Sequence, residues 1–308
     1  MIVNQKLLAN LFKTTTKEIN NFCKKQLAKK IQYRFLTKPE RDSLVIKILQ
    51  RISKDTQIIN SPVRKKVWNN GWRETFNSYL KNKNLKSLIP KYYTNRENKI
   101  FRLGGEFIKV KYPLFEVYMY NLYKHWYFKK YFFKIKNIYE FGAGTGINLL
   151  ELSKIFPKKN LYGSDFVESS VNLLKLIAIR KGINLRAYKF NMLKPNFKSK
   201  LLKNSGVFTC GAIEQLSGDI SKFINYIIVQ KPEIIIHVEP TTYFYNIKKL
   251  PDFLGNLFQM KRGYSSNLLI YLKKLEMKKK IKILKNFRSP FGSIMMEGYD
   301  FIAWKPLK

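Results

Sequence analysis

The stretch N-I-Y-E-F-G-A-G-T-G-I-N-L-L-E-L-S-K, residues 137–154, decides the fold. Ile138 to Phe141 is a short apolar run of strand character. Gly142, Gly144 and Gly146 then interrupt it, and Ile147, Leu149, Leu150 and Leu152 resume at roughly helical spacing. Strand, glycine turn and helix form the opening unit of a nucleotide-binding α/β sheet. Glycine lacks Cβ, so the backbone can turn sharply there and approach a ligand.

Two details bear on which ligand. A dinucleotide fingerprint closes G-x-G-x-x-G with Gly or Ala, and Ile147 holds that sixth position here. Glu140 stands two residues before the first glycine, where a carboxylate would repel a pyrophosphate but suits an ammonium and a sulfonium. The stretch resembles motif I of the class I S-adenosylmethionine-dependent methyltransferases, acid-x-Gly-x-Gly-x-Gly. The resemblance implies a Rossmann-like α/β fold with a seven-stranded sheet, and S-adenosyl-L-methionine held at Glu140, Gly142, Gly144 and Gly146. After the first helix, residues 160–165 are apolar enough for a second strand ending in Asp165, roughly twenty positions past Gly146. In the family that acid holds the ribose. Residues 185–190 read as a third strand, followed by Asn191 and Met192. An Asp is usual at the first of these, facing the adenine amino group, and the amide oxygen of Asn191 can accept the same bond. Gly211, after the fourth strand, completes the expected cofactor set.

The chain has 308 residues, 45% hydrophobic and 15% aromatic, enough for one large core and an accessory layer. No apolar run approaches the ~20 residues of a membrane span. The start lacks the apolar core and cleavage site of a signal peptide. Cys23 and Cys210 stand far apart with no C-x-x-C, so neither a disulfide framework nor a zinc site is indicated. A reducing cytoplasm is the expected location. The net charge of +39 is spread along the chain and dominated by lysine, without a basic tail. Spread charge reads as a solvated surface. It can still attract an anionic acceptor or, weakly, an anionic membrane face, and specific nucleic-acid binding is not expected.

Residues 1–105 read as a helical N-terminal accessory region and 106–308 as the Rossmann-like domain, divided at the Gly104-Gly105 turn. Thr14 to Glu18 predicts a capped helix start, and Ser61-Pro62 predicts another. Trp68 and Trp72, at i and i+4 on that second helix, read as a packing stripe in preference to a ligand box. Tyr112 to Phe133 is a densely aromatic helix expected to pack on the sheet or roof the cleft. Arg102, Lys124 and His125 are weaker candidates for substrate contact. Residues 206–210 and 234–239 are the fourth and fifth strands, and 252–263 reads as a mobile or partly helical lid. A helix over 264–279, a strand over 281–287 and a last antiparallel strand over 299–304 complete the sheet.

The loop after the fourth strand bears on the acceptor. Methyltransferases of exocyclic base amines carry Asx-Pro-Pro-aromatic there, and this chain has Cys210-Gly211-Ala212-Ile213. Cys210 follows Thr209, not a proline, and reads as a buried small hydrophobe. Carboxylates and a histidine remain as bases for a hydroxyl: Glu239 at the strand end, His237 two residues deeper, and Glu214 in the fourth-strand loop. No ligand spacing supports a metal between the two glutamates. The segments G-A-I-E-Q-L (211–216), H-V-E-P (237–240) and the closing R-S-P-F-G-S-I-M-M-E-G-Y-D-F-I-A-W-K-P (288–306) resemble a bacterial family of sugar O-methyltransferases of surface-polysaccharide synthesis. The resemblance covers about the last two-thirds of the chain. It implies O-methylation of a sugar or glycan precursor. An RNA-modifying enzyme and a non-catalytic cofactor-binding scaffold are the alternatives.

Overall fold

The computed structural model describes residues 1–59, 61–94, 99–216, 219–264 and 267–307. Its strands are β1 (Tyr33–Phe35), β2 (Ile100–Leu103), β3 (Glu106–Val110), β4 (Asn137–Phe141), β5 (Asn160–Asp165), β6 (Leu185–Lys189), β7 (Ser205–Cys210), β8 (Ile234–Glu239), β9 (Ile281–Phe287), β10 (Phe291–Gly292) and β11 (Asp300–Pro306). The helices are α1 (Gln5–Leu11), α2 (Thr16–Cys23), α3 (Lys38–Ser53), α4 (Pro62–Asn82), α5 (Lys91–Thr94), α6 (Phe115–Phe132), α7 (Ile147–Ile155), α8 (Glu168–Lys181), α9 (Ser221–Gln230), α10 (Leu250–Arg262) and α11 (Leu268–Met277).

Seven strands form one sheet in the order β6-β5-β4-β7-β8-β11-β9. The first five run parallel, and β11 is antiparallel to both β8 and β9. The chain builds outward from β4 through β5 to β6, then returns to the far side of β4 with β7. That reversal opens a crevice at the carboxyl ends of β4 and β7, where ligands of such sheets lie.

Strand alternation sorts the core into two layers. Ile138, Phe208, Ile236, Val238 and Phe301 pack toward α6, where Tyr123, Trp126, Tyr127 and Phe132 are fully buried. Tyr139, Val207, Ile235, Ile302 and Trp304 pack toward α9 and α11. The aromatic helix thus belongs to the core. The caps expected at two helix starts are present, with Thr15 capping α2 and Ser61 capping α4. Among the described residues no helix is long and apolar enough to cross a membrane.

The first hundred residues depart from an all-helical reading. β1 pairs with β3, β3 with β2, and β2 with β10 from the far end of the chain, as a second, antiparallel sheet. Residues 60 and 95–98 of that expectation lie outside the described residues. Gly104 and Gly105, at φ 66° and 84°, are the tip of the β2–β3 hairpin, where two successive positive φ values suit the turn. Of residues 252–263, expected as a mobile or partly helical lid, 252–262 form the body of α10 and Gly263 is its C-cap. Of the helix expected over 264–279, residues 265–266 lie outside the described residues and α11 begins at Leu268.

Arg102 ties these pieces together. It is fully buried on β2, donating through Nη1 to Pro251 O at 2.5 Å, through Nε and Nη2 to Ile294 O at 3.1 Å, and through Nη2 to Met295 O at 3.2 Å. Its role is structural, in place of the substrate contact expected. Arg288 adds a second tie, reaching Asp252 at 2.8 Å and Glu297 at 2.7 Å. Arg102→Ala strands two buried carbonyls and one part-buried carbonyl, so urea unfolding should show a loss of about 2–4 kcal/mol. A loss under about 1 kcal/mol would mean that water replaces the guanidinium at little cost.

Candidate functional site

The glycine turn is shaped from both sides. Gly142, Gly144 and Gly146 all have positive φ, at 75°, 53° and 75°. A Cβ on Gly142 would stand 2.5 Å from the Cβ of Ala212, and one on Gly146 would stand 2.5 Å from Leu174 of α8. One on Gly144 would stand 3.1 Å from the indole of Trp72. Asp165 stitches the turn to β5: its Oδ2 accepts from the Gly144 N–H at 2.9 Å and its Oδ1 from the Val167 N–H at 3.0 Å.

Around this turn lies a first cavity of about 330 Å³. Gly142, Asp165, Asn191, Met192 and Gly211 line it, five of the eight residues expected to hold a cofactor. Asn191 spends one lone pair of its oxygen on the Leu193 N–H at 2.9 Å. Phe166, Phe190 and Trp72 supply aromatic wall. Glu140 lies behind the turn with Gly144 and Gly146. It is buried; Asn148 Nδ2 donates to its Oε1 at 2.7 Å, and Oε2 has no partner among the described residues. Burial pushes this carboxyl up to about 8.

A second cavity of about 420 Å³ adjoins the first, and Arg64, Trp68 and Gly211 line both. Its walls include Tyr93, Tyr264 and Tyr299, with the carboxylates Glu116 and Glu214. The Tyr299 hydroxyl lies 3.0 Å from both the Tyr93 hydroxyl and Glu116 Oε1. Cys210 also lines this space, its sulfur accepting from the Tyr120 hydroxyl at 2.6 Å. It is thus a wall residue of the cavity as well as a packed thiol.

The two bases expected at the end of β8 are placed elsewhere. His237 is fully buried, its Nδ1 2.8 Å from the Thr209 hydroxyl and its ring stacked on Trp304. Burial holds its pKa down to about 3, which leaves a neutral and weak base. Glu239 turns its carboxylate into the fourth-strand loop, accepting the N–H groups of Ala212 at 3.0 Å, Ile213 at 3.1 Å and Glu214 at 3.4 Å. Neither residue lines either cavity. A strand-end carboxylate can face outward to a ligand or back to a neighbouring loop. Three amides converging on Glu239 select the second. Glu239→Ala should therefore cost about 2–4 kcal/mol in urea unfolding, because the loop amides lose their acceptor. An unchanged denaturation midpoint would show that the loop holds itself.

Glu214 is the one expected base that reaches a cavity. Gln215 Nε2 donates to its Oε1 at 2.5 Å, while Oε2 is buried with no partner among the described residues. Burial raises it to about 7, against the pull of the Gln215 amide and of Arg64 and Arg262. The other weaker candidates lie apart. Lys124 is buried with its ammonium over the Tyr120 ring, and His125 sits 2.6 Å from Glu151 on α7.

Trp68 and Trp72 correct the packing-stripe reading. Their rings stack 5.1 Å apart and both line the first cavity. Arg64, one turn earlier on the same helix face, is not among the candidates read from the sequence. The i, i+4, i+8 pattern of Arg64, Trp68 and Trp72 was the available signal. It could not disclose that their neighbour is the glycine turn.

No family model matches the chain, and no curated protein sequence does. Among solved structures, the chain is similar to the YcgJ protein of Bacillus subtilis at 13% identity, over 57% of this chain and 92% of that one, with a TM-score of 0.42. It is similar to a SAM-dependent methyltransferase from Aquifex aeolicus at 19% identity, over 54% and 82%, with a TM-score of 0.36. It is also similar to an O-methyltransferase family 2 protein of Planctomyces limnophilus at 12% identity, over 56% and 50%, with a TM-score of 0.40.

Proposed function

We propose that the chain is an S-adenosylmethionine-dependent methyltransferase whose acceptor is a hydroxyl of a sugar or glycan precursor. The observation that carries this reading is the pair of cavities meeting at Arg64, Trp68 and Gly211, one built on the glycine turn and one carrying a buried carboxylate.

The first cavity and the turn behind it fit the cofactor in three respects. Phe166, Phe190, Trp72 and Met192 offer apolar surface for a purine, and Asp165 and Asn191 stand beside it for ribose and adenine. Behind the turn, the Oε2 of Glu140 is a buried carboxyl oxygen with no partner among the described residues, and an ammonium would supply one and favour its ionised form. Once bound, this cofactor supplies an electrophilic methyl group on a sulfonium.

Glu214 removes the acceptor proton. An alcohol becomes a competent nucleophile only as a positioned base takes that proton, and a base titrating near neutrality is suited to the task. Trp68, Tyr93 and Tyr264 offer faces on which a sugar ring can stack, and Glu116 and the Tyr299 hydroxyl can accept and donate to ring hydroxyls. The narrow aromatic cavity favours a small polyol over a nucleic-acid strand, whose affinity would come from the dispersed surface lysines and fall steeply with salt.

The test is transfer of tritium from methyl-labelled S-adenosylmethionine to a panel of monosaccharides, nucleotide sugars and bulk RNA at physiological salt. Label is expected in the sugar fraction as an alkali-stable ether, and label confined to RNA would overturn the acceptor class. Glu214→Gln should lower kcat about 10²–10⁴-fold. The same variant carries a pH signature. The folded state holds the Glu214 proton more tightly than the unfolded chain, from 4.5 up to about 7. Stability therefore falls as pH rises through that window, and the cost is fully present above it. Glu214→Gln should be more stable than wild type at pH 8, with the difference gone at pH 4. Parallel pH curves for the two proteins would contradict burial of an ionising carboxyl.

A further inference from the structure

The N-terminal helix α4 reaches the proposed base through a side-chain chain that spans 151 positions of sequence. Arg64 is buried, and it donates through Nε and Nη2 to the single oxygen Oε1 of Gln215, at 3.2 and 2.8 Å. Its Nη1 is held by Gln57 Oε1 at 2.7 Å and its Nη2 also by the Tyr264 hydroxyl at 3.0 Å. The face of the guanidinium rests on Trp68, 4.6 Å from the ring centre. Four of the five N–H groups of this cation are thus engaged, and one face of it is covered.

That fixation decides how Gln215 is turned. An amide flipped the other way would point its NH₂ at the guanidinium, donor against donor. With its oxygen pinned by Arg64, Gln215 must present its NH₂ to Glu214 Oε1, at 2.5 Å. One oxygen of the Glu214 carboxylate is therefore occupied by a donor, and Oε2 is left as the oxygen with no partner among the described residues.

We infer that Arg64 is the positioning residue of the site: through Gln215 it sets which oxygen of Glu214 is free and favours the ionised carboxylate. This rests on the reading of Glu214 as the base, and it assigns the N-terminal accessory region a part in the reaction. Arg64 lines both cavities, so the same side chain senses both ligands' sites. The other charged or titratable groups facing Glu214 are Arg262 from α10, Glu239 from β8 and Tyr92 from α5. None of these donates to Gln215 or to the Glu214 side chain, so the amide orientation belongs to Arg64.

The readout is the titration of Glu214 itself, followed by carbon-13 NMR on protein labelled at glutamate side-chain carboxyls, with Glu214→Gln identifying the resonance. Arg64→Met removes the cation and the pin, and Gln215→Leu removes only the amide. Both should move the Glu214 midpoint upward, by about one pH unit or more for Arg64→Met and about half a unit for Gln215→Leu. Arg64→Lys keeps the charge without the fork and should restore only part of the shift. Should Arg64→Met fail to fold, Gln215→Leu decides. A midpoint within 0.2 unit of wild type in Gln215→Leu would overturn the relay, even if Arg64→Met shifts it through space. The measurement needs no acceptor or cofactor. Failure of the methyltransferase reading would appear instead as absent S-adenosylhomocysteine binding, and the two failures are distinct.

Discussion

The carboxylate of Glu239 is the point on which the site depends. It ends a buried strand, and its oxygens accept the N–H groups of Ala212, Ile213 and Glu214, drawing the fourth-strand loop down onto the sheet. Two placements follow. Ala212 comes so close to the glycine turn that position 142 has no room for a Cβ, which would lie 2.5 Å away. Gln215 is at the same time held at the wall of the first cavity and Glu214 at the wall of the second. Without that acceptor, three amides would face a low-dielectric interior unpaired, at about 2–4 kcal/mol in all. Burial, and then the neighbouring Glu214, raise the pKa of Glu239 to about 8 against the opposing pull of the converging amides. A structural carboxylate at the end of one strand thus makes a chemical one possible beside its neighbour.

The rest of the fold closes the space that this loop opens. The sheet supplies a floor and α4 a wall, with Trp72 beside Gly144 and Trp68 at the junction of the two cavities. The opposite side comes from the segment around Met295 and Tyr299, pinned by Arg102 and Arg288 to α10 and the β2–β3 hairpin. The second cavity is therefore lined by residues from both ends of the chain. Its geometry should respond to changes in the N-terminal region as sensitively as to changes in the loops of the sheet.

Much of this was legible in the sequence where the signal is local. The strand at 160–165, the Ser61 cap of α4 and the antiparallel last strand fall where hydrophobic runs and turn residues place them. β1 and β10 were not legible, being three and two residues long and defined by partners distant in sequence. The site divides the same way. Glycines at positive φ and an acid at a strand end are local facts. That Glu239 faces back to a loop 25–27 positions earlier is a tertiary fact, and the strand pattern is the same for both outcomes. Trp68 and Trp72 show the converse, since spacing identified a shared helix face but not the glycine turn that it covers.

The most direct test of the account is calorimetric titration of the purified chain with S-adenosylhomocysteine and, in parallel, with NAD. Binding of the first at one site per chain, lost or weakened by about 1–3 kcal/mol in Asp165→Ala, with no heat from the second, is the predicted result. NAD binding, or S-adenosylhomocysteine binding indifferent to Asp165, would contradict the assignment of the glycine-turn cavity on which the functional argument stands.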